Sequence, residues 1–573
     1  MSDPPHHSES TGRLRPNSTG PLLIACAGSL LVIGTLAPEI GGPGMTCDEP
    51  YHVAYGKRLV MAFRQQRLRF FKPGNIRENF DWRPGGPPVH PPLGNWILGL
   101  THHLLDAAPD NLQSVSIVSA RFAPALAFGL LIFLVGRYTT RTEGPVAGTV
   151  ASAAVLLVPR LFGHAHLAAL DMFTALSFTA AAIAVAEANA RGGRLRDYAI
   201  AGVVWGLAML TRLHGLLLLL PVALWLVWRL RLRAAVPLAV WLISGAVTLF
   251  AGWPWLWIDP IRHVRQFLGT ATDRIPIHVF YAGQVWADHE VPRHYAVATF
   301  AATLPLGLLI CGFLGLWARR RVRGSPPGFY LLLGSLAFML LVFSWPGVPV
   351  YDGERLFLMV FPLWAVAAGV GANWLIEHRV WAARSRGLRK GVIAGFVAIQ
   401  GVGVVMYHPC YLSHYSLLVG GLPGAARLGF EVNYWGDAVT ERLLAEVAEK
   451  APNGVIIYGP NLAPYQAPML AVSSPALSAK RVMAVGWDPS HPRLIAGCRY
   501  GVFYHRRADL DGIPSELLNG EVLGENSILG AWTARVIEFS SPIGQGGWRE
   551  ASVRPTRGDL ATRRPPRPPL RSG

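Results

Sequence analysis

Apolar positions along this chain cluster into repeated runs, each long enough to cross a hydrocarbon core of ~30 Å as a helix. The runs fall near 21–38, 116–136, 145–162, 167–188, 198–213, 214–229, 235–253, 296–317, 328–345, 356–377 and 391–407, and they predict about eleven transmembrane helices. The first run lacks a small-residue cleavage site and follows a long polar stretch, so it reads as an anchor rather than a signal peptide. Between the first two runs, 39–115 is rich in Gly, Pro and aromatic residues. It holds amphipathic pieces at 51–63 and 93–105, and such pieces lie along a membrane interface rather than across it. After 408 the pattern becomes that of a small soluble unit. Residues 437–450 read as an amphipathic helix, while Gly454–Tyr458 and Tyr500–Tyr504 read as strands.

The expected fold class is therefore an all-α polytopic membrane protein with a small α/β extracytoplasmic C-terminal domain. The expected division is a cytoplasmic tail at 1–20, a transmembrane domain at 21–407 with large outer loops at 39–115 and 254–295, an outer domain at 408–552, and a disordered basic tail at 553–573. Composition agrees: of 573 residues, 51% are hydrophobic and 15% are charged, against about 25% charged in an ordinary globular chain.

The net charge of +18 suggests a polyanion partner until the basic residues are placed. They lie in every second connection: Arg137/Arg141, Arg191/Arg194/Arg196, Arg229/Arg231/Arg233, Arg319/Arg320/Arg321/Arg323, and Arg379/Arg384/Arg386/Arg389/Lys390. With Arg13 and Arg15 before the first run, one parity puts all of them on the same side, which the positive-inside rule makes cytoplasmic. This places the chain in a cell membrane as a multi-pass protein with a cytoplasmic N-terminus, and no nucleic-acid partner is expected. Trp253, Trp255 and Trp257 then sit where an aromatic belt would anchor the outer boundary. The five cysteines show no metal-binding spacing, and the sequence leaves open whether Cys410 and Cys498 pair.

The same parity gathers the costly polar groups on the outer face. Asp48 and Glu49 open the first outer loop in TCDEPYHVAYGKRLV. Asp171 follows the hairpin holding Arg160, His164 and His166. Arg121 opens the second span, Arg212 and His214 occupy the turn TRLHG, and Asp352, Glu354 and Arg355 stand in YDGERLFLMVFP. Read one at a time, these residues have plainer roles: an exposed acidic pair, snorkelling arginines, interfacial histidines. Together they place carboxylates and cations around a water-facing pocket. Arginine forks and lysine point charges suit a phosphate headgroup, and a carboxylate suits a base that takes a proton from an attacking hydroxyl.

The DE pair after the first span, the element His90-Pro91-Pro92-Leu93, and an Asp after AHLAAL at the head of the fourth span resemble the GT-C glycosyltransferases. In particular they resemble the family that includes protein O-mannosyltransferases and the lipid A aminoarabinose transferase. The resemblance covers roughly 21–407 and not the terminal domain. It implies a sugar carried on a polyprenyl phosphate, attacked by an acceptor at the extracytoplasmic surface with inversion at the anomeric carbon. It also implies Asp48 as catalytic base, Glu49 as its support, and Asp171 as the residue that positions the acceptor or pairs with a cation. Lys57, Arg58, Arg121, Arg212 and Arg355 are the candidate phosphate contacts, and His52, His90 and Tyr351 are further candidates for substrate binding. No cofactor or metal is expected. The acceptor, whether protein, lipid or glycan, is not named by the sequence. The segment KPGNIRENFDWRPGGPPVHPPLG departs from the family in its Pro and Gly content, and GFEVNYWGDA in the outer domain reads first as structural. The competing class is a transporter or flippase of a lipid-linked or anionic substrate, which would show repeated halves or a midplane charge cluster. Neither is present in the sequence.

Overall fold

A computed structural model of the chain describes residues 18–81, 90–110, 115–271, 276–321, 326–377, 385–460, 462–464, 466–488 and 491–544. The basic tail at 553–573, the N-terminal arginines Arg13 and Arg15, and Arg323, Arg379 and Arg384 lie outside the described residues.

Helices form where the apolar runs stand. They are α1 (Thr19–Thr35), α5 (Ile117–Glu143), α6 (Pro145–Leu156), α7 (Pro159–Ala165), α8 (Asp171–Ala190), α9 (Leu195–Thr211), α10 (Leu219–Leu230), α11 (Ala235–Gly252), α14 (Tyr295–Thr303), α15 (Leu306–Arg321), α16 (Pro327–Val342), α17 (Val360–Glu377) and α18 (Arg386–Met406). The connection between α1 and α5 carries α2 (Glu49–Gln66), α3 (Pro73–Phe80) and α4 (Leu93–Leu105), and that between α11 and α14 carries α12 (Trp255–Ile258) and α13 (Pro260–Gly269). The amphipathic pieces at 51–63 and 93–105 are thus α2 and α4.

The chain is a multi-pass membrane protein, but eleven full spans do not follow from these helices. Among the described residues, four helical stretches are long and apolar enough to cross a membrane, and up to six if two bent pairs count as one span each. The pairs α6/α7 and α14/α15 bend by 67° and 114°. Pro159 and Pro305 stand at these breaks, where a missing N–H and a ring clash end a helix.

Small residues let the long helices approach closely, as membrane helices do when no hydrophobic force drives them together. A side chain on Gly371 of α17 would run into the Cys311 carbonyl of α15, and one on Gly202 of α9 into the Trp241 carbonyl of α11. The Gly56 and Gly99 backbones meet where α2 crosses α4.

The segment after α18 contains α19 (Gly421–Arg427), α20 (Glu441–Lys450), α21 (Ala467–Ser473) and a five-stranded mixed sheet. With a two-stranded hairpin β1 (His278–Tyr281) and β2 (Gln284–Ala287) earlier in the chain, the sheet strands are β3 (Val455–Gly459), β4 (Met483–Gly486), β5 (Tyr500–Tyr504), β6 (Glu521–Ile528) and β7 (Ala531–Glu538), in the order β4-β3-β5-β7-β6. β3 is parallel to β4 and β5, whereas β7 is antiparallel to both β5 and β6. Leu443, Leu444 and Val447 of α20 are buried beneath it. Cys410 and Cys498 are both free thiols.

This C-terminal unit is seated on the first loop of the membrane part. The Gly44 N–H donates to the Asp437 carbonyl (2.8 Å), and a Cβ at Gly44 would overlap the Val439 carbonyl. One sequence expectation changes here. Trp253 and Trp255 do not form an exposed belt: both are buried in an aromatic cluster with Phe70, Phe80 and Phe267. Pro254 ends α11 and turns the chain inward, leaving only Trp257 partly exposed among the three.

Candidate active site

The DE pair splits at the start of α2. Asp48 is the N-cap residue and Glu49 the first helical residue. Adjacent helical positions point about 100° apart, so the two carboxylates enter different surroundings.

Glu49 is fully buried. Its Oε1 accepts from Arg121 Nε (2.8 Å) and the Ala168 N–H (2.6 Å), and its Oε2 accepts from Arg121 Nη2 (2.8 Å) and the Thr46 N–H (2.9 Å). Arg121 spends its remaining donors on the carbonyls of Leu36, Pro43 and Gly44 at 2.8–2.9 Å. All five guanidinium N–H groups are therefore committed within the protein, and Arg121 is fully buried. The pair joins α2, α5 and the loop before α8, and it leaves no donor of Arg121 to meet a phosphate.

Asp48 faces the other way. An N-cap aspartate commonly accepts from its own helix, but this one makes no such bond. Its Oδ2 accepts from Arg355 Nη2 (2.5 Å) and Trp435 Nε1 (3.2 Å), and its Oδ1 from Gln466 Nε2 (3.1 Å). Burial alone would push the carboxyl up. The Arg355 guanidinium, with His52 nearby, outweighs it and holds Asp48 below the usual aspartate range.

Asp171 is the first residue of α8 and is buried. It accepts from Arg212 Nη1 (2.5 Å) and lies 3.4 Å from Arg355 Nε through either oxygen. Arg355 also donates through Nη1 to Asp352 Oδ2 (3.0 Å), and its guanidinium carbon lies 3.8 Å from the ring centre of Trp435. One planar fork thus links Asp48, Asp171 and Asp352 while stacked on an indole, a geometry lysine cannot reproduce. Asp352 continues to Arg506 Nη1 (2.5 Å), which reaches the Tyr434 carbonyl (2.6 Å). A parallel buried set beneath it pairs Glu354 with Arg160 and Tyr434.

The other sequence candidates divide. His52 lies one turn beyond Asp48 with Nδ1 3.1 Å from Asn95 Oδ1, and its ring centre is 5.8 Å from that of His90. Burial brings His52 down to about 4, so it is neutral near pH 7, and burial with Arg212 nearby holds His90 well below its ordinary value. Tyr351 is half-buried beside Arg355. Lys57 and Arg58 stand apart from the cluster. Lys57 is buried with Asp106 and Asp110 as its nearby charges, and exposed Arg58 donates to the Glu78 carbonyl. Among the described residues no group of three or more His, Cys, Asp or Glu side chains is arranged to hold a metal ion. Sequence reasoning missed Gln466 altogether. It noted GFEVNYWGDA as aromatic and acidic but ranked a structural role first, although Trp435 in that segment touches both Asp48 and Arg355.

The cluster lies at one end of the helices. Arg121 and Asp171 are near the starts of α5 and α8, whereas Arg137, Arg141 and Arg191 surround Glu187 at the other end, where Arg319 also pairs with Glu143.

Comparison with known proteins gives this arrangement a context. The family described as dolichyl-phosphate-mannose-protein mannosyltransferase matches residues 89–258, under a third of the chain. The crystal structure of ArnT from Cupriavidus metallidurans bound to undecaprenyl phosphate superposes with a TM-score of 0.51 at 17% identity, covering 91% of this chain and 98% of that one. The protein has an ArnT-like fold. The apo ArnT structure from the same organism gives a TM-score of 0.48 at 17% identity over the same shares of the two chains. An oligosaccharyltransferase from Archaeoglobus fulgidus gives 0.44 at 13% identity, covering 84% of this chain and 69% of that one. No curated protein sequence matches the chain. Within this fold the Asp48–Arg355–Asp171 bridge joins the loop after α1, the head of α8 and the segment before α17.

Proposed function

We propose that this protein is a membrane glycosyltransferase that moves a sugar from a polyprenyl-phosphate donor to an acceptor at the extracytoplasmic face, with inversion and with Asp48 as general base. The observation that carries the reading is the Asp48–Arg355–Asp171 bridge with Arg212 beside it. Two carboxylates and two guanidinium groups converge there, and both carboxylates stand at helix N-termini, whose positive ends favour anions. The family match and the ArnT-like fold support the same chemistry, and the ArnT structure with undecaprenyl phosphate supports the donor class.

The reaction requires an acceptor hydroxyl to lose its proton as its oxygen bonds to the anomeric carbon, while the bond from that carbon to the phosphate oxygen breaks. Asp48 takes the proton. Arg212 and Arg355 turn their forks from Asp171 and Asp48 toward the phosphate oxygens, neutralising the leaving group. This exchange also strips Asp48 of its strongest cation, so donor binding raises the basicity of the carboxylate that must accept the proton. Asp171 keeps both arginines aligned before the donor arrives. On this reading the basic ends of α5 and α8 face the cytoplasm, and the C-terminal unit is an extracytoplasmic domain.

The test is incubation of the purified protein in detergent or nanodiscs with a panel of polyprenyl-phosphate sugars, scoring release of polyprenyl phosphate. Turnover of at least one donor is expected, with loss of 10³-fold or more in Asp48→Asn, in the range set by general base and electrostatic contributions. Undiminished turnover in Asp48→Asn removes the base role, and substrate flux into liposomes without donor turnover replaces the enzyme reading with a transporter.

A further inference from the structure

Both oxygens of Asp48 are held by the C-terminal unit, from positions that no transmembrane helix contributes. Trp435 precedes the sheet and Gln466 leads into α21. Gln466 is buried, and its side-chain amide can face only one way. Its Oε1 accepts from the Ala463 N–H (2.8 Å), a group that can only donate. The amide therefore has to present Nε2 to the Asp48 carboxylate. Trp435 is oriented as firmly, because its buried ring packs with Leu167, Leu412 and Tyr434 and carries Arg355 on its face. Its only polar hydrogen then points at Asp48 Oδ2.

We propose that Gln466 and Trp435 are positioning residues that orient the base and hold it ionised, so that the site is a composite of membrane domain and C-terminal domain. The proposal rests on the base role assigned to Asp48 above. A carboxylate receiving two neutral N–H donors on opposite oxygens is locked about its Cβ–Cγ bond, and the exposed part of the Asp48 side chain keeps lone pairs for the acceptor hydroxyl. The donors also favour the charged form. Among the described residues they act alongside Arg355 and Asp352 from the segment before α17, Arg212 from the turn after α9, His52 on α2, His90 before α4, Asp171 on α8 and the neighbouring Cys47. When the donor phosphate draws Arg355 away, Gln466 and Trp435 remain as N–H donors, with the Cys47 thiol 4.0 Å from Oδ1.

The prediction separates positioning from simple packing. Gln466→Leu removes one donor at similar volume, and Trp435→Phe removes the N–H while keeping a ring under Arg355. Gln466→Glu sets a second carboxylate against the first. Infrared difference titration of the intact protein, subtracting Asp48→Asn, reads the Asp48 carboxyl without needing turnover. A charge-assisted hydrogen bond on a carboxylate whose side chain is 24% exposed implies an upward midpoint shift of about one pH unit for each donor removed. Gln466→Glu shifts it further. In turnover assays the acid limb of the pH–rate profile moves by the same amount. Unmoved midpoints in all three variants overturn the proposal, even where yield or rate falls. Shifted midpoints in a protein that turns over no donor uphold the clamp and overturn only the base role.

Discussion

Glu49 and Asp48 are adjacent in sequence, and substituting each in turn tests the proposed division between a structural carboxylate and a reacting one. Glu49→Gln changes one oxygen to an NH2 group. Each Glu49 oxygen faces one Arg121 donor and one backbone N–H, from Ala168 or Thr46. Whichever way the glutamine turns, two donors meet its NH2, and the buried guanidinium loses its counter-charge. Removing one partner of a buried pair costs about 3–5 kcal/mol, a large part of the ~5–15 kcal/mol that holds a typical domain folded. Glu49→Gln should therefore melt well below wild type in detergent while keeping near wild-type donor turnover per folded molecule at low temperature. Asp48→Asn should melt close to wild type without turning over. Adding Arg121→Met to Glu49→Gln removes the stranded charge, so the double variant should cost less than the sum of the two singles by about 2–3 kcal/mol. A Glu49→Gln protein with wild-type melting and lost turnover would refute the argument and return Glu49 to the chemistry.

Three further outcomes are expected. Arg355→Lys cannot bridge Asp48, Asp171 and Asp352 from one plane, so it should lose at least 10²-fold in kcat/KM, measured by donor release, while Arg58→Lys stays within twofold of wild type. His52 is held neutral down to about 4, so between pH 6.5 and about 4 the unfolded chain binds the extra proton. Its contribution is present in full above pH 6.5 and is lost progressively as pH falls toward 4; thermal melts across that range should flatten in His52→Gln. Gly99→Ala pushes a Cβ into the Gly56 backbone and displaces α2, so it should cost about 1–3 kcal/mol in unfolding and lower turnover as well; unchanged melting and turnover together would show that the crossing adapts freely.

Much of this protein is written locally. Runs of apolar residues need no distant partner to become helices, and the expected runs coincide with α1, α5 and the helices that follow. The same holds for α2 and α4 in the first loop, and for α20, β3 and β5 near the C-terminus. The gathering of Asp48, Asp171, Arg212 and Arg355 was also foreseeable, because alternating basic turns sort the loops by side and leave these residues on the other one. What local pattern does not contain is direction and reach. That Glu49 turns inward to Arg121 while Asp48 turns to Arg355 depends on the rotation of α2 about its axis, which is set by the Gly56–Gly99 crossing with α4. The commitment of every Arg121 donor to the loop after α1 is a fact of packing, so equal-looking arginines at 121 and 355 have unequal roles. Gln466 meets Asp48 only because the C-terminal unit is seated on the first loop at Gly44. A hydrogen bond across that sequence distance is decided by how two surfaces fit, and no period or motif along the chain encodes it.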